Sequence, residues 1–270
     1  MIKVWRSAMV ALLAVLPAAA LAQGESGIDP EALIERLLAV DQEQRDQIKD
    51  VTFDAEYVEL EGSDTEQARE KVRFVKKVYL KYLPDTVWYR EEYLRFFKEG
   101  EEQSEENLDK EARDRMEKKA KRKARDISYP MLKPFYSEQR SLYQIDYLGV
   151  ARERVQDQIC HQFRVTAIQK ADSLINGDFY FEADGFHLVQ VDFAPSKLVK
   201  KVMFRMNELA MTIIYGPSAD GFWLPRQFDI RGKGKAAFFF GVNFSGTEYY
   251  TNARINSGLE DALFEVSHGD

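Results

Sequence analysis

Short apolar segments separated by turn signals fill the second half of this 270-residue chain. Nine segments of strand length follow one another there, at 142–148, 158–168, 174–182, 186–193, 199–206, 208–215, 222–231, 235–245 and 247–256. Turn-forming residues separate them, among them Pro195-Ser196, Gly216-Pro217 and Gly232-Lys233-Gly234. Strands that follow one another through short turns pair as antiparallel neighbours. The pattern therefore predicts one large antiparallel sheet, either curved or folded into a sandwich.

A helix and three further strands are predicted before that region. Asp29 is a suitable helix N-cap, and Pro30 suits the first helical position. The apolar residues that follow are spaced for one buried helical face: Leu33, Ile34, Leu37, Leu38 and Ile48. From Val51 onward apolar and polar residues alternate, which predicts a strand, and two more strands are predicted at 71–83 and 86–97.

Residues 99–127 differ in composition from their surroundings and are predicted to form a charged helical insert. Acidic residues dominate its start and basic residues its end, which suits a helix macrodipole. Its apolar seam is thin: Leu108, Ala112, Met116, Ala120 and Ala124. We therefore expect a mostly solvated helix that contributes little to the core. The basic end at 118–125 is either a solvated face or a contact for anionic head groups or an acidic partner.

Residues 1–22 have the pattern of a secretory leader. Lys3 and Arg6 precede a short apolar run, and Ala20-Leu21-Ala22 forms a small-x-small cleavage site. Gln23 follows instead of a cysteine, so we expect cleavage after Ala22 and release into the periplasm without an acyl group. An uncleaved N-terminal anchor is the alternative.

The charged and reactive residues exclude several function classes. The net charge of −7 argues against general nucleic-acid binding, and the single cysteine, Cys160, permits no intramolecular disulfide. Cys160 and His161 are neighbours on a predicted strand and therefore point to opposite faces, so they cannot form a nucleophile–base pair. His161, His187 and His268 lack metal-ligand spacing. His161 is expected to be a packed, hydrogen-bonded residue of its strand, and Cys160 a small core residue. No catalytic or phosphate-binding motif is present, so the chain is predicted to be no enzyme and to use no cofactor.

The remaining signal is apolar. Methionine and aromatic side chains concentrate in the segments at 199–215 and 235–245. They are either core residues or a concave ligand surface, on which flexible methionines would fit varied acyl chains. The candidate ligand-binding residues are Trp88, Phe204, Met206, Leu209, Met211, Ile213, Phe238 and Phe240. A ligand-facing Met211 would tolerate replacement by glutamate at a modest cost in stability.

Several degenerate motifs together resemble the periplasmic outer-membrane lipoprotein-sorting (LolA-like) superfamily. They include the helix that runs into Val51-Thr52-Phe53, the segment Val87-Trp88-Tyr89-Arg90 and the late Gly221-Phe222-Trp223-Leu224-Pro225. The resemblance implies an α+β fold: a strongly curved antiparallel half-barrel of about ten strands with an N-terminal helix and, here, the charged insert. The domain would span 23–257, with a C-terminal tail at 258–270.

The resemblance also implies a function. The chain would be a soluble, monomeric periplasmic carrier of an acyl chain or a lipidated protein, with at most peripheral membrane contact. The alternative is an envelope interaction or stress-sensor module that binds a protein partner and transports no ligand.

Overall fold

The computed structural model describes residues 29–61, 69–83, 86–120, 131–171, 173–198, 200–201, 204–236 and 240–265. Helix α1 spans Pro30–Gln47, α2 spans Glu105–Ala120 and the four-residue α3 spans Ser137–Arg140. Two 3₁₀ turns lie at Lys133–Phe135 and Asp261–Leu263. As expected, Asp29 caps α1: its side chain accepts a hydrogen bond from the backbone N–H of Glu31 at 3.0 Å.

The described residues form twelve strands in one sheet. They are β1 Asp50–Glu61, β2 Arg69–Tyr82, β3 Val87–Lys98, β4 Glu101–Glu102, β5 Tyr143–Val150, β6 Cys160–Ala167, β7 Ile175–Glu182, β8 Leu188–Pro195, β9 Lys200–Lys201, β10 Phe204–Pro217, β11 Trp223–Ala236 and β12 Phe240–Ile255. Their order is β4-β3-β2-β1-β12-β11-β10-β8-β7-β6-β5, with β9 paired to β10. Every pairing is antiparallel. The two edge strands do not pair with each other within the described ranges, so the sheet is open.

One face of this sheet, here called the inner face, carries the core. Phe53, Phe179 and Ile213 lie on it, and α1 packs there through Leu33 and Leu37. Strands β2 and β7 contribute to the same buried cluster although five strands separate them in the sheet. In a flat sheet they would lie about 29 Å apart. The sheet therefore curves around α1, which confirms the α+β half-barrel architecture.

Three strand boundaries differ from the expectation. Strand β12 runs without interruption through residue 246, where the segments 235–245 and 247–256 were expected to be separate. The segments 199–206 and 208–215 are no hairpin: the end of the first and all of the second belong to β10, with a register shift between Met206 and Glu208. Gly232 and Gly234 make no turn and lie inside β11. A Cβ atom on Gly232 would lie 2.5 Å from the Phe244 ring, and one on Gly234 would lie 2.7 Å from the Arg205 carbonyl oxygen. These glycines permit close packing rather than chain reversal.

The charged insert forms a mostly exposed helix, as expected, and its inner side contacts the sheet. Leu108 of α2 packs on a second buried cluster of the inner face, formed by Val72, Phe74 and Phe96. Arg115 lies over the Phe74 ring, whereas Met116 of the expected seam is exposed. The contacting side of α2 thus keeps Leu108 and Ala112 of the expected seam and adds the long side chain of Arg115, which covers aromatic surface. The basic end of the insert beyond residue 120 lies outside the described residues.

The C-terminal tail is fastened to the sheet. The buried carboxylate of Asp50 accepts hydrogen bonds from the backbone N–H groups of Ser257, Gly258 and Leu259, at 2.8, 3.0 and 3.2 Å. It also accepts one from the Ser257 hydroxyl at 3.0 Å. The Asp50 carboxylate thus holds the start of the tail, and the Lys81 ammonium holds the next residues by donating to the Leu259 carbonyl at 2.6 Å and pairing with Asp261 at 2.5 Å.

Candidate functional site

Four of the candidate ligand residues share one row on the inner face. The register places Ile213 opposite Phe228, Met211 opposite Ile230, Leu209 opposite Gly232 and Met206 opposite Gly234. The register shift after Met206 adds one residue to β10, so Met206 and Leu209 keep the same side despite their odd spacing. The structure thus brings Met206, Leu209, Met211 and Ile213 together.

Burial changes sharply along this row. Met211 and Ile213 are 5% and 0% exposed and belong to the main core cluster. Leu209 packs at the margin of that cluster and Met206 is half-buried. Met211 and Ile213 are therefore core residues, whereas Leu209 and Met206 approach solvent.

The other four candidates do not all join this row. Trp88 lies on the opposite face, since its neighbour Tyr89 faces the core, and its ring lies 5.8 Å from that of Phe264. Phe238 lies outside the described residues. Phe204 and Phe240 begin β10 and β12, and both pair with Ala236 in the register.

A cover closes the main cluster of the inner face. It consists of α1 together with residues 131–140, whose apolar side chains Met131, Leu132 and Phe135 are buried. Phe135 is 1% exposed and meets three phenylalanine rings of the sheet edge to face, at centroid distances of 5.8, 5.2 and 5.8 Å. Those rings belong to Phe163, Phe179 and Phe181. Edge-to-face contacts of this kind stabilise aromatic clusters beyond simple area burial.

Polar contacts join the two parts of the cover to each other. Arg140 forms a 2.7 Å ion pair with Glu31, and the Tyr136 hydroxyl donates to Asp41 at 3.5 Å. Burial raises the pKa of Asp41, while Arg45, at 2.9 Å, opposes that rise. Because α1 and the 131–140 segment are linked in this way, we expect them to move together.

Polar contacts of α1 with the sheet side add to this. The Gln44 side chain donates to the Trp223 carbonyl at 2.9 Å and accepts from the Trp223 N–H at 2.7 Å. The Arg36 guanidinium lies 4.3 Å from the centroid of the Phe186 ring. Apolar contacts under α1 and around Phe135 supply the rest.

Both described histidines lie beside Phe186 and Trp223, the two residues contacted by Arg36 and Gln44 of α1 and here called the α1 seat. His161 is buried, bonds through Nδ1 to the Tyr147 hydroxyl at 2.9 Å and stacks on Phe186. His187 stacks on Trp223 with ring centroids 5.1 Å apart. Burial lowers the pKa of both imidazoles. The expectation that His161 is a packed, hydrogen-bonded residue is confirmed, as is the burial of Cys160, where desolvation raises the pKa of the thiol to about 11.

A buried ionic group lies between the two apolar clusters of the inner face. The Lys76 ammonium pairs with the carboxylates of Glu91 and, at 2.9 Å, of Glu248. Tyr89 and Tyr93 donate to the two oxygens of Glu91 at 2.6 and 2.8 Å. Burial alone would lower the pKa of Lys76, but Glu248 and Glu91 together raise it above its ordinary value. Lys76 therefore stays protonated in its pairing with the side chains of Glu91 and Glu248.

Two open depressions mark the surface of the described residues. One, of about 300 Å³, lies between Trp88 and Phe264. The other, of about 590 Å³, lies where β8 and β10 separate, and its charged walls are Arg164, Asp178, Asp192 and Arg231. Within the described ranges no three metal-ligating side chains cluster, and no helix combines the length and apolarity needed to cross a membrane.

Sequence reasoning missed the residues that form the cover and the ionic group. The run Met131-Leu132-Lys133-Pro134-Phe135 is apolar and ends in an aromatic residue, which could have indicated a buried segment just before β5. Lys76 offered no such signal, since its position in an alternating strand only suggested an inward side chain.

Solved structures with similarity to this chain were found, whereas no family model and no curated protein matches it. One is a DUF1329 family protein from Desulfovibrio piger, with 16% identity and a TM-score of 0.48, covering 89% of this chain and 99% of its own. Another is described as an outer membrane lipoprotein-sorting protein domain from Vibrio parahaemolyticus, with 12% identity, a TM-score of 0.39 and coverage of 86% and 97%. A third is a LolA superfamily protein from Nitrosomonas europaea, with 9% identity, a TM-score of 0.34 and coverage of 88% and 98%. The last two are of the class that the sequence motifs resemble.

Proposed function

We propose that this chain is an exported, non-enzymatic carrier that binds an acyl chain, free or as part of a lipidated protein, on the inner face beneath the cover. The observation that carries the proposal is Phe135, an aromatic side chain on a short segment that fills an aromatic site of the sheet. Phe135 occupies the place that the acyl chain would take.

The energetics of exchange favour such a role. Apolar burial contributes roughly 25 cal/mol per Å² whatever the apolar group is. An acyl chain that replaces Phe135 and its neighbours would therefore restore most of the burial lost when the cover lifts. Opening without ligand would expose the same surface to water and remain unfavourable. The cover would open appreciably only when an acyl chain is available.

The proposed compartment rests on the leader-like residues 1–22, which lie outside the described residues. Cleavage after Ala22 without acylation of Gln23 stays a prediction, as does a monomeric, periplasmic state.

Truncation of the Phe135 side chain tests the carrier proposal. We expect Phe135→Ala to lower the free energy of unfolding by about 3–5 kcal/mol and to tighten binding of a fluorescent fatty acid several-fold, because the competing ring is gone. Phe97→Ala is the matched control: that ring is also buried but lies on the other face of the sheet, covered by Arg73 and Arg95. It should cost similar stability without tightening binding. If neither the wild type nor Phe135→Ala binds the probe, the chain is no acyl carrier.

A specific observation favours a second function, an envelope interaction module. The inner face of the described residues is filled, while Leu148, Val150 and Ile159 are exposed near the edge strand β5. A partner's extended segment would pair with that edge. Loss of a crosslinked envelope partner in a Leu148→Lys, Val150→Lys variant, with fatty-acid binding absent from the wild type, would support this function instead.

A further inference from the structure

The second cluster of the inner face has aromatic walls. Phe74 and Phe96 stack with ring centroids 4.7 Å apart, and Tyr93 meets Phe74 edge to face at 5.3 Å. Tyr57 packs against the same cluster, where burial raises the pKa of its hydroxyl to about 12. Aromatic faces carry the negative part of the ring quadrupole and attract cations.

A cation of the chain itself occupies this cluster. The Arg115 guanidinium of α2 lies 4.3 Å from the Phe74 centroid and 5.6 Å from that of Tyr57. On the other side, the Lys76 ammonium lies 5.9 Å from the Tyr57 centroid and 5.6 Å from that of Tyr93. The aromatic cluster is thus placed between two cations, of which Lys76 belongs to the sheet and Arg115 to a helix that packs over it.

Carboxylates surround the same place. Glu59 lies 3.7 Å from Arg115, and Glu111 of α2 lies 3.1 Å from it. Glu91 and Glu248 pair with Lys76, while the exposed Lys71 approaches Glu59 at 3.5 Å. If α2 moved away with Arg115 and Glu111, three carboxylates would face only two ammonium groups. The sheet surface under α2 is therefore electrostatically suited to a cation and unsuited to an anion.

This site is continuous with the surface proposed to bind the acyl chain. Phe53, Ala55 and Tyr57 are successive inward residues of β1, and the first two belong to the main cluster while Tyr57 belongs to the second. Successive inward residues of a strand lie about 7 Å apart. One amphiphile of moderate length could therefore contact both clusters.

We propose that the aromatic site under α2 binds the cationic, ammonium-type head group of an amphiphile whose acyl chain occupies the surface beneath the cover. Arg115 occupies this head-group site and leaves it when the ligand enters. This inference rests on the carrier function proposed above, and it names the ligand class as cationic amphiphiles. A fatty acid would place its carboxylate beside Glu59, Glu91 and Glu248, so it would bind more weakly than an ammonium compound of the same chain length.

Calorimetric titration with three ligands of equal chain length tests the inference: decyltrimethylammonium, decanoate and 1-decanol, all below micelle-forming concentrations. We expect the wild type to bind the ammonium compound tightest. Arg115→Ala should tighten its binding about tenfold, which corresponds to the upper part of the range of a cation–π contact, and should not tighten binding of decanoate. Arg113→Ala, an exposed arginine on the same helix, should leave all three affinities unchanged.

A second pair of variants keeps the test independent of α2. Glu59→Gln should weaken binding of decyltrimethylammonium several-fold and leave 1-decanol unchanged, whereas Glu56→Gln, on the outer side of the same strand, should change neither. Equal binding of all three ligands, or equal tightening by Arg115→Ala, would overturn the head-group site and leave the carrier function intact. If none of the ligands binds, the carrier function fails together with the inference.

Discussion

At the scale of single residues, the seat of α1 concentrates side chains that respond to protonation. His161 and His187 stack under the helix on Phe186 and Trp223, the two residues that Arg36 and Gln44 of α1 contact. Protonated His161 would place a positive charge against the Phe186 ring that the Arg36 guanidinium also covers, with the Tyr147 hydroxyl as its polar contact. Glu182 and Glu43 approach His187 and partly offset its loss of hydration.

We therefore predict that acid loosens the α1 seat. Both imidazoles have a lowered pKa in the folded chain, so their contribution to stability is fully present above the unfolded value of about 6.5 and is lost as pH falls below it. Thermal unfolding measured from pH 8 to pH 5 should show a steeper loss for the wild type than for His161→Gln, His187→Gln. Parallel curves for the two proteins would contradict the prediction, since carboxylates elsewhere act equally on both.

Met211 gives the second residue-scale prediction, and here the structure changes the expectation. Its side chain is buried against the core, so a carboxylate at this position would lose its hydration without gaining a partner. We expect Met211→Glu to lower the free energy of unfolding by more than about 3 kcal/mol, rather than modestly. Met206→Glu, in the half-buried outer part of the same row, is the control and should cost clearly less. Chemical denaturation of both variants measures the difference, and equal losses would argue against the burial gradient along β10.

At the scale of elements, α2 is the segment whose role changes most. It covers Phe74 and Phe96 through Leu108 and Arg115, so it shields aromatic surface that would otherwise meet water. The charged composition that made the insert look solvated describes only its outer side.

We predict that α2 contributes measurably to stability. Leu108→Ala should lower the free energy of unfolding by roughly 1–2 kcal/mol, about half the cost of a fully buried leucine, while Met116→Ala, at an exposed position of the same helix, should change it by less than about 0.5 kcal/mol. Replacement of residues 101–126 by a flexible linker should lower the unfolding temperature by several degrees. Retention of full stability in the linker variant would restore the original expectation of a dispensable insert.

At the scale of the whole molecule, the sheet joins the two ends of the described chain. Strand β1 pairs with both β2 and β12, and Asp50 at its start holds backbone that lies 207 residues further on. The inner face is then divided between two covers: α1 with residues 131–140 on the main cluster, and α2 on the second. Both covers rest on one continuous surface, which is why a single amphiphile could engage them together.

The sequence by itself determined the features that depend on neighbours along the chain. The N-cap at Asp29, the apolar face of α1, the alternation in β1 and the antiparallel succession of strands follow from local periodicity and turn chemistry. The burial of Cys160 and His161 followed from the apolar residues that share their strand.

Tertiary structure alone decided the features that depend on distant contacts. Gly232 and Gly234 were predicted to form a turn because local propensity contains no information on the close approach of the Phe244 ring or of the Arg205 backbone. Phe135 is buried among aromatic rings because strands β6 and β7 bring Phe163, Phe179 and Phe181 around it. Trp88 and Met211 looked alike as apolar strand residues, yet register put one on the outer face and the other in the core. Side-chain direction along a strand alternates with a period of two, so pairing across the sheet, and not composition, decides which surface each residue serves.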